Sequence, residues 1–327
     1  MEIRCNLELV QDWDGTRRLD DLCDPGTDHS WMWAVGSATG DYLRPHEFSR
    51  AISLRLGAPV LGNSCSCAVC GGRMDAHGIH SLHCAPGEST RGHNGVRDTV
   101  LGLATMGDSS SCIEPRGLVA SRPGLRPADV LSSAACGRLA ALDVGIAYPG
   151  AAGSGDDACT AMVVSKRDKY AGVLGELRDE GVEYKPLVWS CWGRPHCDAV
   201  SIVRAMAEAA ARRSGDCHAS VVERRAHGLI GIQIWRRAAR MVEACLPRAP
   251  PAESFLLLDE AVKAARAKAA VLDEWGCSDD ESATSIVDGP LEGLASSAVT
   301  VAPHPGTEKS MGIAPGGSVD GDGGTPT

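Results

Sequence analysis

The sequence has few aromatic residues and no long apolar run. Only 4% of its 327 residues are aromatic, and just two are phenylalanine, so a core must depend on Ala, Val, Leu and Ile. No window approaches the 18 uncharged apolar residues of a transmembrane helix, which predicts no membrane partner. The N-terminal stretch has no apolar signal-peptide run, so we expect an intracellular protein that is not secreted.

A basic excess is also missing, since 32 basic residues stand against 42 acidic ones and the formal net charge is −10. The imbalance is local, because residues 251–327 contain 13 acidic and only 4 basic residues. Residues 203–248 instead contain nine arginines and four acidic residues. The overall charge therefore excludes neither nucleic acid nor any other partner.

Composition and hydrophobic periodicity divide the chain into six segments. The predicted segments are an N-terminal segment with a helix from His46 (1–60), a Cys/His-rich loop (61–90), a core (91–200), Arg-rich helices (201–250), a helical extension (251–277) and a disordered acidic tail (278–327). In the helix after His46 we expect Phe48, Ala51, Ile52 and Leu56 to form the apolar face.

The core is predicted to run helix, three strands, helix, strand. The predicted bounds are a helix over 92–106, strands over 111–115, 126–132 and 138–148, a helix over 158–178 and a strand over 184–190. The first helix should bury Val96, Val100, Leu103 and Ala104, and Pro186 favours a sheet edge or a strand start. The order predicts an α/β (α+β) fold with a small mixed sheet flanked by helices.

The loop over 61–90 has the spacing of a zinc site. Cys67 and Cys70 form a Cys-x2-Cys pair, and His80 and Cys84 follow as a second pair, which suits tetrahedral Zn²⁺. Cys65 could replace Cys67, and His77 or His83 could replace His80. A second group fits no common pattern, and we interpret it as ordinary buried thiols; it comprises Cys191, His196, Cys197, Cys217 and His218.

Three carboxylates lie on or beside the strands of the core: Glu114, Asp129 and Asp143. An aspartate inside a buried strand is costly unless it is paired or binds a cation. Asp129 and Asp143 fall on adjacent strands, where Mg²⁺ could bridge them. The alternative is a structural salt bridge from Asp143 to Arg126 or Arg138.

Two lysines follow on the next helix. Met162, Lys166, Lys169, Val173 and Leu177 recur at helical spacing and predict one face against the sheet. A lysine on that face could hold a phosphate or an attacking water near the acids. The alternative is a solvated charge run.

The ordered series CAVCGGRMDAHGIHSLHC, RGHNGVRD, IEP, RPADV, ALDVGIAYP, KRDKY and GVEYKPLVWSCWGR resembles the C-terminal region of non-LTR retrotransposon reading frames that carry a restriction-like endonuclease. The resemblance covers roughly residues 40–195. It implies a zinc knuckle followed by a nuclease of the PD-(D/E)xK fold that nicks target DNA. The implied partners are DNA, the element RNA and a separate reverse transcriptase, and the implied location is nuclear.

The resemblance also implies roles for individual residues. Cys67, Cys70, His80 and Cys84 match the zinc knuckle; Asp129 and Asp143 match the ligands of Mg²⁺ or Mn²⁺; and Glu114 matches an auxiliary acid. Gly145 stands where a strand lysine is expected, so Lys166 or Lys169 would substitute, with Lys166 preferred.

The chain departs from the family in two places. It has no Tyr-x-Asp-Asp polymerase motif, and it reads Arg-Gly-His-Asn where the family reads Arg-His-Asn. An active nuclease is the first hypothesis, in which the Arg-rich helices over 204–240 contact phosphates. A non-catalytic, zinc-containing nucleic-acid-binding remnant is the second.

Overall fold

The structure, a computed structural model, describes residues 13–34, 41–151, 155 and 157–247. Its helices are α1 (Trp13–Cys23), α2 (Pro45–Leu56), α3 (Ser81–Cys84), α4 (Pro86–Gly107), α5 (Ala158–Tyr170), α6 (Leu174–Asp179), α7 (Cys197–Ser214) and α8 (Ala219–Cys245). Its strands are β1 (Cys65–Ser66), β2 (Arg73–Met74), β3 (Cys112–Ile113), β4 (Val130–Ser132), β5 (Ala140–Ala147) and β6 (Glu183–Ser190). The predicted extension over 251–277 and the predicted tail over 278–327 lie outside the described residues.

The four-stranded sheet has the order β3-β4-β5-β6. Strands β3, β4 and β5 are antiparallel, and β6 joins β5 in parallel through α5 and α6. The predicted order of helix, three strands, helix and strand, and with it the mixed α/β class, is confirmed. Strand β6 lies at one edge of this sheet, which agrees with the expectation from Pro186.

Strand β5 is buried on both faces of the sheet. Leu142 and Val144 pack against α4, α7 and α8, while Ala141 and Ala147 face α5 and the turn after it. The buried residues of α4 are Val96, Val100, Leu103 and Ala104, the set that its periodicity predicts. No helix within the described ranges combines the length and the apolarity needed to span a bilayer.

Helix α2 departs from its predicted apolar face. Phe48 and Leu56 are 36% and 69% exposed, whereas Glu47 is 1% exposed. Glu47 is buried because Arg240 of α8 donates to its Oε1 at 2.8 Å and the Arg44 amide donates to its Oε2 at 3.0 Å. A helical period cannot reveal this pairing, since Glu47 and Arg240 are 193 residues apart.

The helix predicted over 158–178 is divided. Helix α5 ends at Tyr170, a 3₁₀ turn follows over Ala171–Val173, and α6 then begins at Leu174. Gly172 and Gly175 weaken the helix there, because glycine costs about 1 kcal/mol relative to alanine in a helix interior. The predicted packing face is also wrong at Lys169, which is exposed; the buried positions of α5 are Ala158, Cys159, Val163 and Tyr170.

Candidate metal centre and carboxylate cluster

Cys67, Cys70, His80 and Cys84 come together around the short hairpin of β1 and β2. All four ligand atoms lie within 4.8 Å of one another. The Sγ atoms of Cys67 and Cys84 are 3.6 Å apart, and Cys70 Sγ lies 3.3 Å from His80 Nε2. Tetrahedral zinc with Zn–S bonds of about 2.3 Å places sulfur atoms roughly 3.8 Å apart. This Cys₃His group could therefore hold a metal such as zinc.

Backbone amides of the hairpin also donate hydrogen bonds to two of the sulfur atoms. The Val69 amide donates to Cys67 Sγ at 3.4 Å, and the Gly72 amide donates to Cys70 Sγ at 3.3 Å. Burial raises the pKa of the Cys67 thiol, but the amides of Cys70 and Val69 outweigh it and hold the pKa at about 6. Burial and the neighbouring thiols raise the pKa of Cys84 to about 12. One thiolate thus forms readily, and a cation would stabilise the others.

The alternative ligands lie elsewhere in the loop. Cys65 pairs with Met74 in the hairpin, and the His83 ring packs 5.0 Å from the Tyr148 ring. Within the described residues, neither these side chains nor His77 join the Cys₃His group. The predicted set is the one that the structure brings together.

The Cys₃His loop packs on the C-terminal end of α8. Met74 and Cys67 share a buried cluster with Met241 and Cys245, and the Ala68 amide donates to the Cys245 carbonyl at 2.9 Å. The loop is therefore continuous with the core that carries the sheet.

Asp143 lies in the middle of β5 with its side chain 10% exposed. Lys166 Nζ of α5 donates to its Oδ1 at 2.6 Å, and the Tyr184 hydroxyl of β6 donates to its Oδ2 at 2.5 Å. Burial and the Asp143 carboxylate raise the pKa of Tyr184, so the hydroxyl keeps its proton. The alternative that Asp143 pairs with Arg126 or Arg138 is wrong, because its cationic partner is Lys166.

Asp129 lies beside Asp143, immediately before β4. Its amide donates to the Leu142 carbonyl at 2.8 Å, and its Oδ2 accepts from the Val144 amide at 2.7 Å. His93 Nε2 of α4 lies 3.2 Å from Asp129 Oδ2 and 3.1 Å from the Val144 carbonyl. Both of these partners are acceptors, so Nε2 carries the proton.

Charge around Asp129 favours its ionised form. Burial raises the pKa of Asp129, but His93, the Val144 amide and Lys166 outweigh it and lower the pKa below the ordinary value of 3.8. The hydrogen bond to Asp129 in turn raises the pKa of His93 above 6.5, against the effect of burial. Asp129 is thus an anion under ordinary conditions.

The Glu114 carboxylate pairs with two arginines, although its amide donates to the Asp129 carbonyl at 3.0 Å. Arg97 donates to its Oε1 at 2.6 Å and Arg126 to its Oε2 at 2.7 Å. Its backbone φ of 43° is the only positive value at a non-glycine position among the described residues. Within those residues, Glu114, Asp129 and Asp143 do not form a set of three ligand atoms close enough to share one ion.

Gly145 explains how α5 delivers a lysine to the sheet. A Cβ at Gly145 would lie 2.7 Å from Lys166 Cε and 2.6 Å from Met162 Sδ, so a larger residue there would displace the ends of both side chains. Among the described residues Lys169 forms no ion pair with a carboxylate; its ammonium lies 4.8 Å from the centre of the Tyr170 ring. Of the two candidate lysines, Lys166 is the one that contacts an acid of the cluster.

Sequence reasoning missed His93 and Tyr184. Each is far in sequence from its partner, by 36 residues for His93 and Asp129 and by 41 for Tyr184 and Asp143. The only available signals were the Arg-Gly-His-Asn motif for His93 and the first position of the predicted last strand for Tyr184. We call His93, Asp129, Asp143, Lys166 and Tyr184 the carboxylate cluster.

Three arginines of α8 form hydrogen bonds or ion pairs with other parts of the protein. Arg240 pairs with Glu47, Arg236 donates to the Tyr42 carbonyl at 2.6 Å, and Arg237 is only 6% exposed, with a 3.0 Å bond to Ser89 Oγ. These three side chains therefore already have partners within the protein, and the phosphate contacts expected for the helices over 204–240 stay a prediction.

The second cysteine group is only partly as predicted. Cys191 is buried, but Cys197 is exposed. The ligand atoms of His196 and Cys197 meet only that of Asp198, the next residue, at the start of α7. His196 Nδ1 accepts from the Asp198 amide at 3.2 Å, and Asp198 accepts from Arg167 at 3.1 Å, so both side chains have structural partners.

Comparison with known proteins adds no assignment: no family model, curated protein or solved structure matches this chain.

Proposed function

We propose that this chain is a metal-dependent DNA endonuclease of the PD-(D/E)xK type that nicks DNA by phosphodiester hydrolysis, as the nuclease module of a retroelement. The observation that carries the proposal is the 2.6 Å contact between Lys166 and Asp143, beside Asp129, in a β3-β4-β5-β6 sheet. Two acids and a lysine are the chemical minimum of that family's site.

The donor set suits a hard cation. Asp129 and Asp143 are carboxylates on neighbouring strands, with side chains 19% and 10% exposed. Mg²⁺ binds through one or two carboxylates and keeps several waters, so the absence of a third clustered acid is no obstacle. When bound, the ion would supply a water of lowered pKa and neutralise charge on the scissile phosphate.

The protein's own groups would position the reactants. Lys166 would place a positive charge where the phosphate gains negative charge in the transition state. Tyr184 would orient the Asp143 carboxylate, and His93 would do the same for Asp129. The Cys₃His group would hold structural Zn²⁺, and DNA, the element RNA and a separate reverse transcriptase would be partners in the nucleus.

A non-catalytic nucleic-acid-binding protein is the second candidate. Two observations favour it: Glu114 is neutralised by Arg97 and Arg126, and both oxygens of Asp143 already accept hydrogen bonds. These pairings stabilise the fold without requiring turnover.

Incubation of the purified full chain with supercoiled plasmid separates the two candidates. With Mg²⁺ or Mn²⁺ we expect conversion to nicked circles, and EDTA should stop it. The Asp143→Asn variant, purified in the same way, controls for contaminating nucleases. DNA binding without divalent-dependent nicking would instead support the second candidate.

A further inference from the structure

A pocket of about 390 Å³ opens at the start of β6, next to the carboxylate cluster. Its volume falls within the range of about 300–1,000 Å³ that is usual for small-ligand sites. Four structural elements converge on it: the turn before β5, helices α5 and α6, and strand β6. The polar side chains that line it are Arg138, Arg167, Arg178, Glu183, Tyr184 and Lys185.

The lining of this pocket has a net positive charge. Four cations face a single carboxylate, and that carboxylate, Glu183, pairs with Lys185 at 2.5 Å. Arg167 has a partner outside the pocket, Asp198 at 3.1 Å. Arg138 acts on Glu183 from a longer range, and neither Arg138 nor Arg178 forms an ion pair with a carboxylate within 4.0 Å among the described residues. The pocket lining therefore has an excess of positive charge, which favours the binding of an anion.

Tyr184 connects the pocket to the cluster. Its ring lines the pocket, while its hydroxyl donates to Asp143 Oδ2. Arg167 follows Lys166 directly in α5. Along β6, Pro186 pairs with Asp143, and the pocket residues from Glu183 to Lys185 precede Pro186 by one to three residues, or about 3 to 10 Å. The far end of the pocket is therefore about three nucleotides from Asp143 along one strand of a duplex.

We propose that this pocket binds a backbone phosphate of the DNA strand that lies across Asp129 and Asp143. The proposal rests on the function proposed above and extends it to substrate positioning. Arg138 and Arg178 make the contact with the phosphate, and Tyr184 fixes the distance between that phosphate and the reacting one. A guanidinium suits the task because its planar fork matches two phosphate oxygens.

The test compares Arg178→Gln with Arg122→Gln. Both arginines are exposed and form no ion pair with a carboxylate among the described residues, but Arg122 does not line the pocket, so the two variants remove the same charge at different places. Binding of a labelled duplex is followed by fluorescence anisotropy without divalent ions, across about 50 to 200 mM salt. Losing one phosphate contact should reduce the slope of log affinity against log salt by about 0.9 and weaken binding roughly tenfold near 0.1 M salt. We expect this for Arg178→Gln and the wild-type slope for Arg122→Gln.

Equal slopes for the two variants, or no DNA binding by the wild type, would overturn the proposal. Titration with inorganic phosphate at constant ionic strength distinguishes a free anion from a DNA strand. If Arg178→Gln lost phosphate binding but kept the wild-type DNA slope, the pocket would serve a free phosphate, and the DNA assignment would be wrong. Nicking is measured separately. If the wild type binds DNA without nicking it, and Arg178→Gln still lowers the salt slope, the endonuclease proposal would be refuted while the pocket proposal would stand.

Discussion

Gly92 of α4 and Arg237 of α8 are complementary in shape. A Cβ at Gly92 would lie 2.4 Å from the Cβ, Cγ and Cδ atoms of Arg237. Gly92 thus has a packing role, because the stem of a buried arginine crosses α4 at this point.

We predict that Gly92→Ala lowers the free energy of unfolding by about 1–3 kcal/mol, the usual cost of overpacking. Gly102→Ala is the matched control in the same helix, since a Cβ there meets nothing within 4 Å. It should instead stabilise the protein by about 0.5–1 kcal/mol. Urea denaturation of both variants measures the effects, and a stabilised Gly92→Ala would mean that Arg237 moves aside freely.

The purified chain should contain about one zinc, because a closed structural site uses four ligands. Cys70→Ala should reduce the zinc content to near zero in elemental analysis. Cys65→Ala and His83→Asn are the matched controls and should retain the metal. Equal zinc in Cys70→Ala and wild type would reject the Cys₃His ligand set.

Asp143→Asn should reduce nicking by at least about 100-fold while the fold persists, since the change removes a charge from the proposed ion site and keeps the shape. Asp168→Asn, at an exposed position on α5, serves as the control and should nick at the wild-type rate. Circular dichroism reports the fold. An unfolded Asp143→Asn, together with a wild type that shows no divalent-dependent nicking, would assign Asp143 a structural role.

Lys166→Ala should abolish nicking with DNA binding nearly intact, because a transition-state contact affects rate more than ground-state affinity. Lys169→Ala should weaken DNA binding modestly and leave the nicking rate unchanged. Gly145→Lys added to Lys166→Ala should restore part of the nicking, since removal of the Lys166 stem leaves only the flexible end of Met162 closer than 3.0 Å to the new Cβ. Loss of nicking only in Lys169→Ala would transfer the role to Lys169, and nicking unaffected by either change would exclude both.

The pair of His93 and Asp129 predicts a pH-dependent stability. The folded pKa of His93 is raised above 6.5, so its contribution is complete below that pH and is lost as pH rises through the folded pKa. The folded pKa of Asp129 is lowered, so its contribution is present above 3.8 and is lost only as pH falls through the lower folded value. His93→Gln should therefore cost more unfolding free energy at about pH 5.5 than at about pH 8.5. Equal costs for His93→Gln at both pH values would contradict the pairing.

The sequence predicts several features that depend on local pattern. The order of the core elements and the buried face of α4 follow from periodicity, and spacing narrows the ligands of the Cys₃His group to a few candidates. Contacts that depend on the packing of distant segments do not. Burial of Glu47 by Arg240 could not be predicted in this way, and neither could the exposure of Lys169 after α5 stops at Tyr170.

The attachment of the Cys₃His loop to the end of α8 has a thermodynamic consequence. Helix α8 also packs on α4, which supplies His93 to the carboxylate cluster. A metal bound by the folded chain alone would add binding free energy to the whole unit, through mass action. The fraction of folded molecules would then depend on the free concentration of the ion that the loop binds. The fraction of molecules with a formed carboxylate cluster would change in the same direction.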